Sequence, residues 1–284
     1  MTAGDRRLPR GPLPRRRDRL RRAEPLLRGC PDAAWDLVNA ELFGLQANIY
    51  LGELARVGAA IAPLLRDADV RGNLYMLASL RSGPTHLHWL AQDDVTSARA
   101  AVDDAAKRWS TRGVQVQHYW QLHARCNFDL YAGDPRAALA RLEARWPDLR
   151  TLLRIQFVRV EALHLRGRCR LACRDGDLTR VLADARAIEA QRTPWGDALA
   201  QLLRAAIAAR NDDRRAAVAH LAEAAAGFDP ANMALYAAAA RRRRGELTDG
   251  PAGALLRARA DEWLAAQNVR DPPRLLATLT PGFP

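Results

Sequence analysis

The 284-residue sequence predicts an all-α protein, a right-handed α-solenoid of about six antiparallel helix pairs. Three observations carry that expectation. Alanine supplies 56 residues while aromatics make up only 6%, and alanine is the strongest helix former whereas strands draw on aromatic and β-branched side chains. A turn recurs at Gly52-Glu53, Asp93-Asp94, Gly133-Asp134, Gly176-Asp177 and Asp212-Asp213, at intervals of 41, 40, 43 and 36 residues, a period that belongs to stacked helical hairpins. Four and eight positions beyond each acid stand apolar residues, the nearer one small or β-branched: Val57 and Ile61, Ala98 and Val102, Ala138 and Leu142, Val181 and Ala185, Ala217 and Leu221.

Each element follows from this frame. Residues 1–29 hold ten arginines with Pro9, Pro12 and Pro14 and read as a disordered, solvated arm; residues 30–284 form the helical-repeat domain. Within a turn, glycine can end one helix in the left-handed conformation, and the carboxylate after it can accept the free N–H groups that open the next. The second helix of each pair then carries one apolar stripe, as in Val95, Ala98, Val102, Ala105 and Trp109. The first helices are apolar on more than one side, as in 149–175, where Arg154, Glu161 and Arg168 leave only a narrow polar stripe, which suits a helix wedged between neighbours. The pairs map to 33–51 and 53–69, 73–91 and 94–112, 115–132 and 134–146, 149–175 and 177–192, 194–210 and 213–228, and a capping pair at 231–247 and 252–267. Pro147, Pro194 and Pro230 fall at joints, and the seven tryptophans are expected as wedges between helices.

Charge and motifs narrow the function. The net charge is +12, but most of the excess lies in the arm, so the body lacks the composition of a dedicated nucleic-acid binder. Through Arg6, Arg7, Arg10, Arg15, Arg16, Arg17, Arg19, Arg21 and Arg22 a flexible arm can neutralise phosphates without reading sequence. Arg241–Arg244 spreads around a helix and is expected to be solvated. No apolar run approaches the length of a membrane crossing, and no apolar segment follows the arginines as in a secretory signal; a cytoplasmic location is expected. Neither GxxxxGK[ST], GxGxxG nor GxSxG occurs, and the only lysine, Lys107, lies inside a second helix. No catalytic, cofactor-binding or metal-ligating residue is expected. Cys169 and Cys173 share a helix face but His164 is offset from it, and His86, His88, His118 and His123 are expected at or near the surface. An enzyme would need a deep pocket with converging ionisable groups that sequence spacing does not reveal.

The clearest turn, "YAGDPRAALARL" at 131–142, resembles tetratricopeptide repeats, although the period is longer than theirs and their helix-A signature is not cleanly kept. "YLGELARVGAAIAPLLRDADVRGNLYMLASLRSG", "QHYWQLHARCNFDLYAGDPRAALARLEARWPDL" and "MALYAAAARRRRGEL" are similar to the C-terminal helical-repeat region of large bacterial serine/threonine protein kinases. That resemblance runs from about Cys30 to the end and implies a regulatory or partner-binding role without kinase activity, since no position matches a kinase motif. The function expected is a non-catalytic scaffold for a protein or peptide, the alternative a nucleic-acid-associated protein acting through the arm.

Overall fold

The computed structural model describes residues 13–110 and 112–283. They form fifteen α-helices and, among the described residues, no strand: α1 (Leu13–Arg28), α2 (Ala34–Leu51), α3 (Leu54–Val70), α4 (Leu74–Ser82), α5 (His86–Ala91), α6 (Val95–Arg108), α7 (Val116–Tyr131), α8 (Pro135–Arg145), α9 (Gln156–Ala172), α10 (Leu178–Glu189), α11 (Pro194–Arg210), α12 (Arg214–Ala231), α13 (Ala234–Glu246), α14 (Gly250–Ala266) and α15 (Pro272–Leu279). Most helices pack mainly on their neighbours in the chain, but α4 packs most closely on α6 and α15 on α7.

The turns show how the chain folds locally. Gly52 and Gly133 take φ of 80° and 82°, and Asp93 and Asp212 take the same left-handed region at 54° and 59°. Asp94, Asp134, Asp177 and Asp213 each accept a hydrogen bond from the backbone N–H three residues on, at 3.0, 3.0, 3.1 and 2.9 Å. Glu53 does not cap its helix; its longer side chain pairs instead with Arg17 and, at 3.2 Å, with Arg56. Gly176 serves close approach rather than a left-handed turn, since a Cβ there would lie 1.8 Å from the carbonyl of Arg170. The apolar residues four and eight positions beyond the acids, from Val57 to Leu221, are all buried.

Several expectations are corrected. The predicted helix 73–91 is two helices, because Gly83-Pro84 removes a donor and holds Gly83 extended (φ −66°, ψ −169°). The predicted helix 149–175 begins only at Gln156, after short 3-10 segments at Trp146–Arg150 and Leu152–Arg154. Of the arm, residues 1–12, with Arg6, Arg7 and Arg10, lie outside the described residues, but Leu13–Arg28 is helical rather than disordered. Its half-buried side is Arg17, Leu20, Glu24 and Leu27, spaced three and four apart, and this side packs on α2. Arg15, Arg19, Arg21 and Arg22 remain exposed. Trp35 is not a wedge; it is 57% exposed.

The two ends of the array meet. Leu42, Leu45, Ile49, Leu54 and Val57 share one buried core with Leu235, Ala239 and Leu264 of α13 and α14 and with Leu275, Leu276 and Leu279 of α15. A Cβ at Gly52 would lie 2.8 Å from both the Leu235 nitrogen and the Trp263 ring. Beyond this seam, α15 and its approach lie against the ends of α5 and α7: Arg270 N donates to Ala91 O at 2.8 Å, and Arg274 donates to Tyr131 O at 2.8 Å and to Asp93 at 3.0 Å. The last helices of the chain thus pack against the first ones rather than standing apart from them.

Candidate functional site

An interior cavity is lined by α2 (Ile49, Tyr50), by Pro84 and α5, by α7, α9 and α11, and by Met233 and α13. Its chemistry is polar. Tyr50 donates its hydroxyl to Glu161 Oε1 at 2.6 Å, joining α2 to α9 across the interior. The break at Gly83-Pro84 aims His86 inward; its Nδ1 lies 2.9 Å from the Gly83 carbonyl and its Nε2 3.1 Å from the Asn127 amide nitrogen. Asn127 also donates to the His123 carbonyl at 2.9 Å, and its Oδ1 accepts from Arg168 Nη1 at 2.9 Å. The same Arg168 nitrogen donates to the Thr278 carbonyl at 2.8 Å, so α15 is tied to α9.

Burial sets the protonation of this cluster. Desolvation disfavours charge: it pushes the Glu161 carboxyl up to about 8, against the lowering effects of the Tyr50 hydrogen bond and the Arg168 charge. It lowers His86 to about 4 and, aided by Arg168, holds His164 well below the usual imidazole range. His123 is lowered in the same way by burial, then by His86, Arg168 and His164. At neutral pH the histidines and Glu161 are uncharged, which leaves Arg168 as the one charged group on the lining.

Three atoms here have no hydrogen-bond partner although they are buried: Glu161 Oε2, His164 Nε2 and Arg168 Nε. They stand at i, i+3 and i+7 on one face of α9. The cavity measures about 30 Å³, room for a water molecule or two and well below a metabolite pocket of some 300–1,000 Å³. Ionisable groups converge, but not around a space for an organic substrate. No group of His, Cys, Asp and Glu among the described residues is arranged to hold a metal ion.

The turn residues Gly52, Glu53, Asp93, Asp94, Gly133, Asp134, Gly176, Asp177, Asp212 and Asp213 sit at helix junctions and line none of this cavity. His86 and His123, expected at the surface or half-buried, are the largest departure: both are buried, as is His164. A faint signal existed in Glu161, His164 and Arg168, three and four residues apart along one face of α9. Arg241–Arg244 is not a solvated patch either: Arg241 pairs with Asp229 and Arg242 with Asp261, both at 2.6 Å, and Arg243 with Glu246 at 2.8 Å. Cys126, Cys169 and Cys173 are buried free thiols and Cys30 an exposed one.

No protein-family profile, no curated protein and no solved structure matches the chain. No helix among the described residues is long and apolar enough to cross a membrane.

Proposed function

We infer that the chain is a non-catalytic, TPR-like helical-repeat module of the cytoplasm that binds a protein partner, in keeping with its resemblance to the repeat regions of bacterial serine/threonine kinases. The observation that carries this reading is an exposed apolar edge where first helices begin and second helices end. Trp35 and Tyr75 meet at a tilt of 40° with ring centroids 4.9 Å apart, and Tyr75 meets Trp109 at 6.5 Å, so aromatic rings link α2, α4 and the end of α6. Val70, at the end of α3, is 88% exposed, and Leu74 at the start of α4 and Val114 just before α7 are also exposed. Large apolar side chains exposed at one set of helix ends suit a protein-binding site, and the interior cavity offers no groove for a peptide.

Affinity capture with the full chain and with a Trp35→Glu, Val70→Glu double variant tests the reading. Both positions are exposed, so the variant should keep the helical circular-dichroism signal and lose a protein that the parent retains. Identical captures, or none from the parent, would remove it. A second reading rests on α1, where Arg15, Arg19 and Arg22 lie on one exposed face: a nucleic-acid-associated protein would bind a generic duplex in a salt-sensitive way that substitution of these arginines by glutamine abolishes.

A further inference from the structure

We propose that the interior cavity is a binding site for one small monovalent anion, of halide size, held by Arg168, His164 and Glu161. The argument starts from charge. Arg168 is 2% exposed and makes no ion pair among the described residues; its partners are an amide oxygen and a backbone carbonyl, both neutral. The other buried arginines, Arg170 and Arg243, each meet a carboxylate, Asp184 at 2.7 Å and Glu246 at 2.8 Å. A guanidinium taken out of water without a counter-charge carries a penalty of several kcal/mol, so the Arg168 site calls for an anion.

Geometry supplies the place and the donors. Arg168 Nε–H is unpartnered, and its neighbours at i−4 and i−7, His164 and Glu161, also hold unpartnered atoms on the same lining. A neutral imidazole can carry its proton on Nε2, and burial keeps the Glu161 carboxyl protonated at neutral pH. The three groups then present one charged N–H, one neutral N–H and one O–H to a space of about 30 Å³. A water molecule fits that space but leaves the charge uncompensated, whereas a halide ion, little larger than water, supplies the counter-charge.

Chlorine NMR linewidths of the full chain at neutral pH, titrated with chloride in a gluconate background of constant ionic strength, test the proposal. Saturable broadening that bromide reverses, weakened at least about tenfold in Arg168→Met, is the expected result. Absence of saturable broadening in the parent chain overturns the proposal and makes an ionised Glu161 the counter-charge. Broadening unchanged in Arg168→Met also overturns it, placing the ion on the arginine-rich surface. If Arg168→Met does not fold, His164→Leu takes its place, since it removes a donor without removing the charge, and unchanged broadening there is equally fatal.

Discussion

Two faces of helix α9 treat buried arginine in opposite ways. On one, Asp184 is 2% exposed and sits between Arg166 and Arg170, at 2.5 and 2.7 Å, with Glu143 a further 3.1 Å partner of Arg170. Every charge there has its opposite, and Trp146 lies under the Arg166 guanidinium at 3.8 Å. On the other, Arg168 meets only neutral acceptors, and the one carboxyl nearby is held protonated. The contrast separates two uses of the same side chain: the first fastens α9 to α10, whereas the second leaves a local positive potential inside the array.

The largest expected effect comes from breaking the compensated side. Asp184→Asn leaves Arg166 and Arg170 without their shared negative charge and sets an NH2 donor against one of them, and should cost about 3–5 kcal/mol, as removal of one member of a buried pair does, seen as a lower denaturation midpoint in urea. If the loss is instead no larger than for an exposed pair, the two faces do not differ as described.

Next in size is the pH profile, which belongs to the uncompensated side. Glu161 has a folded value of about 8 against an ordinary 4.5, so the folded state binds more protons between those limits and stability falls as pH rises through them, by up to about 1.4 kcal/mol per unit. His86, His123 and His164 act in the other direction: their values are depressed in the folded state, and stability rises as pH climbs from about 4 to the ordinary imidazole value near 6.5. The sum places a stability maximum near pH 6.5. Glu161→Gln should remove the decline above that maximum and leave the acid limb in place; a decline that survives the substitution would mean that Glu161 is ionised in the folded protein.

These particulars show what a reader of the sequence can and cannot see. The turns are legible because they are local: Gly133-Asp134 carries its own left-handed residue and its own cap, and Ala138 and Leu142 follow at fixed offsets. Glu53 fits the same pattern yet bonds elsewhere, because Arg17 is brought to it by a helix concealed under a run of arginines. The single-helix expectation over 73–91 overlooked Gly83-Pro84, a local signal that was present. The cavity belongs to another class. His86, His123 and Glu161 lie on different helices, and they converge because α5 packs on α7 and α7 on α9, with α15 tied to α9 through Thr278, contacts between residues some 40 to 110 positions apart that leave no periodic trace.

A smaller effect sharpens the comparison with the anion. Arg168→Met removes a buried charge together with the hydrogen bonds to Asn127 and Thr278, two contributions of opposite sign. In gluconate the substitution should cost about 1 kcal/mol or less, and in chloride it should cost more, because only the parent gains from the bound ion. Equal costs in the two salts, read from melting curves at matched ionic strength, would place Arg168 among the compensated arginines after all.

The smallest effect returns to the Asp184 face and asks what fixes Arg166 there. Its guanidinium has both a carboxylate and an indole within reach. A cation over an aromatic ring contributes about 0.5–1 kcal/mol where solvent still has access, and Trp146 is half-buried. Trp146→Leu keeps an apolar cover over α8 and removes the ring's field, so a loss of this size is expected in the parent. In the Asp184→Asn background the ring becomes the chief support that Arg166 retains, and the same substitution should then cost more. A double-mutant cycle measures the difference: coupling between the two positions indicates that carboxylate and ring hold one guanidinium together, and its absence would show that Asp184 acts through Arg170 alone.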